Sequence, residues 1–351
     1  MKPKNAKNVF LLLIIFKAKK IFFMLKYTFV FLLQIAFISV FAQNNQSTEL
    51  DTVVQTGKYK LPAKVVLPKT KNFPIVIMLA GSGAMDKDVS IAPNKIFRDI
   101  SEGFLKNNIA SIRYDKRTLT YGAEIMKEYD SLSIEKETIE DALSAVALVK
   151  TFPNVDKNNI WIMGHSLGAM FAPAVGADKS VKGIIMLAGS SRNFEDLALE
   201  QYEYIYSLDT TQTAIKKEIS NLKVKIQNLK KIDKTNKTTT SPKDLPFSLP
   251  QNYWLSLQKN NPENFAKALL QKPILVLQGE KDYQVLMKDF ELLKILFQKH
   301  KKANFISYPT LNHSFMESKG AKGIPADYMV VGKFSEKTIK DMADFIVKNK
   351  K

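Results

Sequence analysis

The chain has 351 residues, 45% apolar and 25% charged, enough for one large α/β domain or two smaller ones that need no covalent staples. It has no cysteine and only three histidines, which excludes disulfides and thiolate metal sites and argues against a multi-histidine metal centre; no cofactor is expected. The formal net charge of +18 overstates the basicity of the folded part: residues 1–42 hold seven lysines and no acid, leaving 45 basic against 34 acidic residues, or +11, with no arginine-rich stripe interleaved with aromatics, so nucleic acid is not an expected partner.

Residues 1–42 read as a signal peptide. Lys26 precedes an apolar run of 15 residues, Tyr27 to Phe41, and Val40-Phe41-Ala42 puts small residues at −3 and −1 of a cut before Gln43. Met24-Leu25-Lys26 offers a second start, in which case residues 1–23 are not translated. The competing reading is an uncleaved anchor, since Ile21 to Phe41 is just long enough to span a bilayer. Either way the expected contact with a membrane is through this segment, and the expected location is exported, periplasmic or secreted; without a cysteine after the cut, a lipoprotein is excluded.

Residues 43–50 are polar and read as a linker. Thr52 to Leu67 suggests two antiparallel strands around a turn. Continuous apolar strands then alternate with helices: strand Pro74–Ala80, helix Ile96–Leu105, strand Ile109–Tyr114, amphipathic helix Ile134–Val149, strand Ile160–Met163 and strand Gly183–Ala188. After an interruption come strand Ile274–Leu277, a helix through Leu286–Phe297, strand Asn304–Tyr308 and a terminal helix over 335–348. Such strands mean a mostly parallel sheet covered on both faces, with the core over residues 51–191 and 273–351. The interruption, residues 192–272, reads as a helical cap. Ile215, Ile219, Leu222, Ile226 and Leu229 form a narrow apolar seam on a lysine-covered helix, followed by a polar loop from Thr235 to Ser241.

The chemistry is concentrated at Gly164-His165-Ser166-Leu167-Gly168, where a β-branched strand meets Gly-x-Ser-x-Gly and an alanine-rich helical pattern. This is the sequence form of a nucleophile elbow. The two glycines give backbone clearance, and the helix that follows aims free N–H groups at the space above Ser166, the candidate nucleophile. A serine hydroxyl needs a base, itself oriented by a carboxylate. His165 is the nucleophile's own neighbour and points elsewhere; His300 lies among lysines and reads as solvent-facing. His313 follows a strand and reaches its carboxyl end, the edge where open α/β sheets build sites. The candidate acid is Asp282 in Gln278-Gly279-Glu280-Lys281-Asp282, just past a strand, with Glu280 as rival and a helix N-cap as its ordinary alternative role. Gly81-Ser82-Gly83 follows the first parallel strand, where a backbone N–H from Ser82 or Gly83 can join that of Leu167 in an oxyanion hole; as a phosphate loop it lacks the Gly-Lys-Ser/Thr ending. Asp86 or Asp88 is expected to tie to Arg113 or Arg117 beneath the site.

These motifs, with Arg113-Tyr114-Asp115-Lys116-Arg117 and Leu311-Asn312-His313-Ser314-Phe315, resemble those of the α/β-hydrolase superfamily and, within it, exported bacterial carboxylesterases of dienelactone-hydrolase-like type. The resemblance covers about residues 50–348. It implies an α/β-hydrolase fold with an inserted cap and a carboxylesterase using Ser166, Asp282 and His313 on small or medium acyl esters. The dienelactone hydrolases proper use a cysteine nucleophile, and this chain has none, so their substrate is not implied. An acyltransferase or peptidase on the same triad is the near rival; a catalytically silent binding protein of the same fold is the distant one. Tyr202, Tyr206, Tyr253 and Trp254 of the cap either roof an acyl pocket or form the cap's own core. The sequence is silent on oligomeric state and physiological substrate.

Overall fold

The computed structural model describes residues 47–232 and 239–350. The expected signal segment and cleavage site, residues 1–42, and most of the polar loop in the cap lie outside the described residues. Among the described residues, no helix is long and apolar enough to cross a membrane.

Eight strands form one sheet: β1 (Ser47–Thr56), β2 (Tyr59–Pro68), β3 (Phe73–Leu79), β4 (Ala110–Tyr114), β5 (Val155–His165), β6 (Val181–Leu187), β7 (Ile274–Gly279) and β8 (Ala303–Tyr308). Their spatial order is β1-β2-β4-β3-β5-β6-β7-β8. β1 begins at Ser47, so the last four residues read as linker are strand instead. A turn at Gly57, at φ 52°, joins β1 to β2, and β2 pairs antiparallel with β4. Every pairing from β4 to β8 is parallel. The loops that follow those strands therefore all emerge at one edge of the sheet. The order reverses at β3, with β4 on one side and β5 on the other. The loops after β3 and β5 flank the crevice that such a reversal opens.

Both faces of the sheet are covered, as the unbroken burial of β3 requires. Alternate residues serve opposite layers. Ile75, Ile77, Ile160, Ile162 and Ile184 pack with helices α2 (Glu140–Val149), α3 (Leu167–Gly176) and α7 (Met287–Leu296). Val76, Met78, Trp161, Met163 and Ile185 pack with α1 (Ile96–Lys106) and α8 (Glu336–Lys348). The helix expected from Ile134 to Val149 is not uniform: Glu135–Ile139 forms a π-turn before α2 begins. That turn carries Glu137, a buried carboxylate whose importance emerges below.

The segment between β6 and β7 is a helical cap of α4 (Phe194–Leu208), α5 (Thr213–Lys230) and α6 (Gln251–Lys259). On α5 the seam residues Ile219, Leu222, Ile226 and Leu229 are buried, while Lys216, Lys217, Lys223 and Lys230 are exposed. Of the seam, Leu229 joins Leu197, Tyr253, Trp254 and Leu257 in a third core that rests on Leu167, Met170 and Phe171 of α3. The cap thus packs on the helix that starts at Ser166. Its first turn is anchored by Arg192, whose Nε and Nη2 donate to the fully buried Asp289 at 2.7 and 2.9 Å, while Ser190 Oγ donates to the same carboxylate at 2.6 Å. Asn261 Nδ2 donates to Ser191 O at 2.8 Å and draws the cap's two ends together.

Candidate active site

Ser166 sits at φ 56°, ψ −123°, between the end of β5 and the start of α3. An L-residue held there carries strain of order 1–3 kcal/mol, which the surroundings must over-determine. Ser166 N donates to Leu187 O of β6 at 2.9 Å, and its carbonyl accepts from Ala169 N at 2.9 Å. The flanking glycines are obligatory on space alone. A Cβ on Gly164 would lie 2.2 Å from Gly168 O, and one on Gly168 2.2 Å from Leu79 O. The side chain of Ser166 opens into a cavity, and its Oγ makes no hydrogen bond to His313 in this structure. Catalytic hydrogen bonds are often long or poorly aligned in unliganded sites.

His313, in the loop after β8, is buried, and its Nδ1 lies 2.7 Å from Asp282 Oδ2. Asp282, in the loop after β7, spends its other oxygen on the N–H groups of Gln284 (2.7 Å) and Val285 (3.0 Å), and Gln278 Nε2 donates to Oδ2 at 3.2 Å. Asp282 closes a turn rather than capping a helix. The N–H of Leu286, at the start of α7, goes to Asp289 instead. Glu280 is exposed and accepts from Ser307 Oγ at 2.7 Å. The two loops meet because residue 279 is glycine: a Cβ there would strike Leu311 O at 2.4 Å and Asn312 O at 2.7 Å.

Of the two remaining histidines, only His300 differs from its expected surroundings. His165 does not face the cavity, yet it is not idle, since its Nε2 lies 2.8 Å from the backbone carbonyl of His313. Burial and the neighbouring His313 push it down to about 3, so at neutral pH the ring is uncharged and Nε2–H is the donor. It fixes the loop of the candidate base from below. His300 is buried rather than solvent-facing: its Nε2 bonds Ala266 O at 2.7 Å, and its ring stands edge-on to Phe297.

Beneath the loop after β3, the expected ties form in part. Arg113 Nε donates to Asp88 at 2.8 Å, but Asp86 turns to Ser90 and Arg117 pairs with the buried Asp141 of α2. Ser82 and Gly83 line the cavity beside Ser166 and Leu167, with Gly83 at φ 86°. Sequence reasoning missed Lys116 of the Arg113–Arg117 motif. It is buried, donates to Gly81 O at 3.1 Å and pairs with Glu137 at 2.9 Å. The two partners lie 21 positions apart, and nothing in either stretch marks them as a pair.

The cavity has a volume of about 590 Å³ and runs from Ser166 beneath the cap. Its walls are largely apolar, with Ile125, Leu132, Met170, Phe194, Leu197 and Phe247 among them. Of the four cap aromatics singled out in the sequence, Tyr202 and Tyr253 line it. Trp254 does not: it is buried in the cap core against Phe194. Tyr206, one turn beyond Tyr202 on α4, is also outside the lining. Helical geometry decides this, because adjacent residues such as Tyr253 and Trp254 point about 100° apart on a helix.

Two outcomes are expected. Asp282→Asn should lower turnover about 10⁴-fold, because its amide would hold the wrong imidazole tautomer, while Glu280→Gln stays within a few-fold. Steady-state kinetics on both decides between the two acids. For His165 the folded-state pKa lies below the unfolded value near 6.5. The unfolded chain alone therefore takes up a proton between about 6.5 and 3, and stability falls as pH falls through that window. Thermal midpoints measured from pH 7 to 4 should drop less steeply for His165→Gln than for the wild type. Parallel curves would contradict this.

The family model for the dienelactone hydrolase family matches residues 254–347. Over 289 residues, 82% of its length, the chain is 32% identical to Esterase EstD of Thermotoga maritima, of which it spans 66%. Solved structures share the fold at low identity. Est1E from Butyrivibrio proteoclasticus is similar at a TM-score of 0.53 and 16% identity, covering 87% of this chain and 99% of that one. A hyperthermophilic esterase from the archaeon Pyrobaculum calidifontis gives 0.54 and 16%, covering 86% and 85%. The parallel sheet, the strained serine turn after β5 and these relationships lead to one conclusion: the chain has the α/β-hydrolase fold, and its residues 254–347 match the dienelactone hydrolase family.

Proposed function

We propose that the protein is an exported serine carboxylesterase that hydrolyses small or medium acyl esters through an acyl-enzyme. The observation that carries this reading is the strained Ser166 opening into a largely apolar cavity of about 590 Å³, with the hydrogen-bonded pair Asp282–His313 at the same edge of the sheet. The homologous Thermotoga maritima protein is named an esterase, which favours the same activity here. In the proposed cycle Ser166 Oγ attacks the ester carbonyl carbon as its proton passes to His313 Nε2. The oxyanion is held by the N–H groups of Leu167, Ser82 and Gly83. Collapse expels the alcohol, which takes the proton from His313. Water, deprotonated by His313, then attacks the acyl-enzyme, releases the acid and restores Ser166. Asp282 keeps the imidazole oriented and stabilises its protonated form.

Purified residues 43–351 should hydrolyse p-nitrophenyl esters of short to medium chain length and be labelled at Ser166 by a fluorophosphonate. Ser166→Ala should lose the label and roughly 10⁴–10⁶ in turnover. His313→Ala should be similar, and the double variant hardly worse than either single. Labelling without hydrolysis would direct attention to acyl acceptors other than water, and no labelling at all would sink the enzyme reading. Export rests on Lys26, the apolar run Tyr27–Phe41 and Val40-Phe41-Ala42. Mass spectrometry of the protein from its host should find Gln43 at the N-terminus; an intact chain in the membrane fraction would refute cleavage.

A further inference from the structure

We infer that Lys116 is a positioning residue for the oxyanion hole, and that Glu137 and Tyr253 link it to the cap. The inference rests on the proposed esterase reading and deepens it. Lys116 Nζ donates to Gly81 O at 3.1 Å. In a trans peptide the carbonyl and the N–H point in opposite directions, so binding Gly81 O from below turns the N–H of Ser82, in the same peptide unit, away from Lys116. On this reading the far side is the Ser166 side. A Cβ built on Gly81 would lie 3.1 Å from Ser166 Cβ and 3.6 Å from its Oγ, and Ser82 lines the cavity with Ser166. No acceptor among the described residues takes the Ser82 or Gly83 N–H. A flip of this peptide would put a carbonyl where a donor is needed, and the buried ammonium opposes it.

Lys116 is itself held. Its backbone N–H donates to Met85 O at 3.0 Å, and its ammonium faces Glu137 Oε1 at 2.9 Å, both side chains being 5% exposed. Glu137 Oε2 accepts from Tyr253 OH on α6 of the cap at 2.7 Å, and Oε1 from Thr118 Oγ1 at 3.3 Å. Burial alone would push the Glu137 carboxyl up, but Lys116, Tyr253 and Thr118 outweigh it and hold it below the usual carboxylate range. Burial and the Glu137 charge raise the Tyr253 hydroxyl well above its ordinary value, so it stays protonated and donates. A continuous chain of contacts therefore runs from the cap, through Tyr253, Glu137 and Lys116, to the peptide of the oxyanion loop. Tyr253 and Glu137 also line the cavity, so the seating of the cap and the preparation of the hole share one network.

The test compares Lys116→Met, the double variant Lys116→Met/Glu137→Gln and Tyr253→Phe with wild type. The double variant removes the ammonium without leaving a buried charge unpaired, which keeps the test open should the single variant fail to fold. The readouts are kcat and KM for p-nitrophenyl butyrate, and the affinity of a trifluoromethyl ketone, whose adduct with Ser166 bears the oxyanion. The double variant should lose roughly 10- to 100-fold in kcat with KM near the wild-type value, and bind the ketone more weakly by a similar factor. Lys116→Arg should recover part of both, and Tyr253→Phe should lower kcat several-fold without raising KM. A double variant within two-fold of wild type in kcat and ketone affinity would overturn the positioning role, and an unchanged kcat in Tyr253→Phe would overturn the link to the cap. If wild-type protein is not labelled at Ser166 by a fluorophosphonate, the esterase reading falls and this inference with it. Labelled wild type beside an unaffected double variant rejects the inference alone.

Discussion

The close approach of α3 to the ends of β3 and β5 is the constraint on which the site depends. Gly168 leaves no room for a Cβ against Leu79 O, and Gly164 leaves none against Gly168 O. With both in place the chain turns so sharply that Ser166 is forced to φ 56° and its side chain has nowhere to go but the cavity. The strain is local, and the structure offsets it with three well-packed cores, one on each face of the sheet and one beneath the cap. The same turn begins α3, so the cap that covers Ser166 also packs on the helix that the turn starts. Geometry at the candidate nucleophile and coverage of the cavity have a common origin.

A second close approach performs the corresponding task for the candidate base. Gly279 lets the loop after β8 cross the loop after β7 at backbone contact, and this brings His313 against Asp282. Asp282 then has every lone pair in use, and His165 clamps the carbonyl of His313 from the opposite side. An uncharged His165 suits that position, because a second positive ring 4.8 Å from His313 would oppose protonation of the base. The loop of the candidate base is thus held from three directions, in keeping with a preorganised site.

The cap contributes both apolar wall and polar connection. Its helices bury Leu197, Leu229, Trp254 and Leu257 in one cluster with Leu167, Met170 and Phe171 of α3, while Tyr253 reaches through the wall to a carboxylate on the core. Buried ion pairs such as Lys116–Glu137 add little net stability once desolvation is counted. The presence of this one beside a largely apolar cavity wall, to which Glu137 belongs, is easier to understand as a means of fixing orientation.

Amino-acid pattern alone carried the parallel sheet, the order of its strands along the chain, the insertion and the residues Ser166, Asp282 and His313 as candidates. Each of those signals is local: unbroken β-branched runs, glycine at fixed offsets from a serine, a histidine and an aspartate just past strand ends. Tertiary structure decided what depends on residues far apart in the chain. It brought Asp282 rather than Glu280 against His313, buried His300, and gave His165 a partner across 148 positions. It also turned Tyr253 into the cavity and Trp254 into the cap core. The Lys116–Glu137 pair was invisible in the sequence for the same reason: no local signal marks a lysine in a charged motif or a glutamate on an amphipathic stretch as buried, and only the packing of the π-turn against the loop after β4 brings them together.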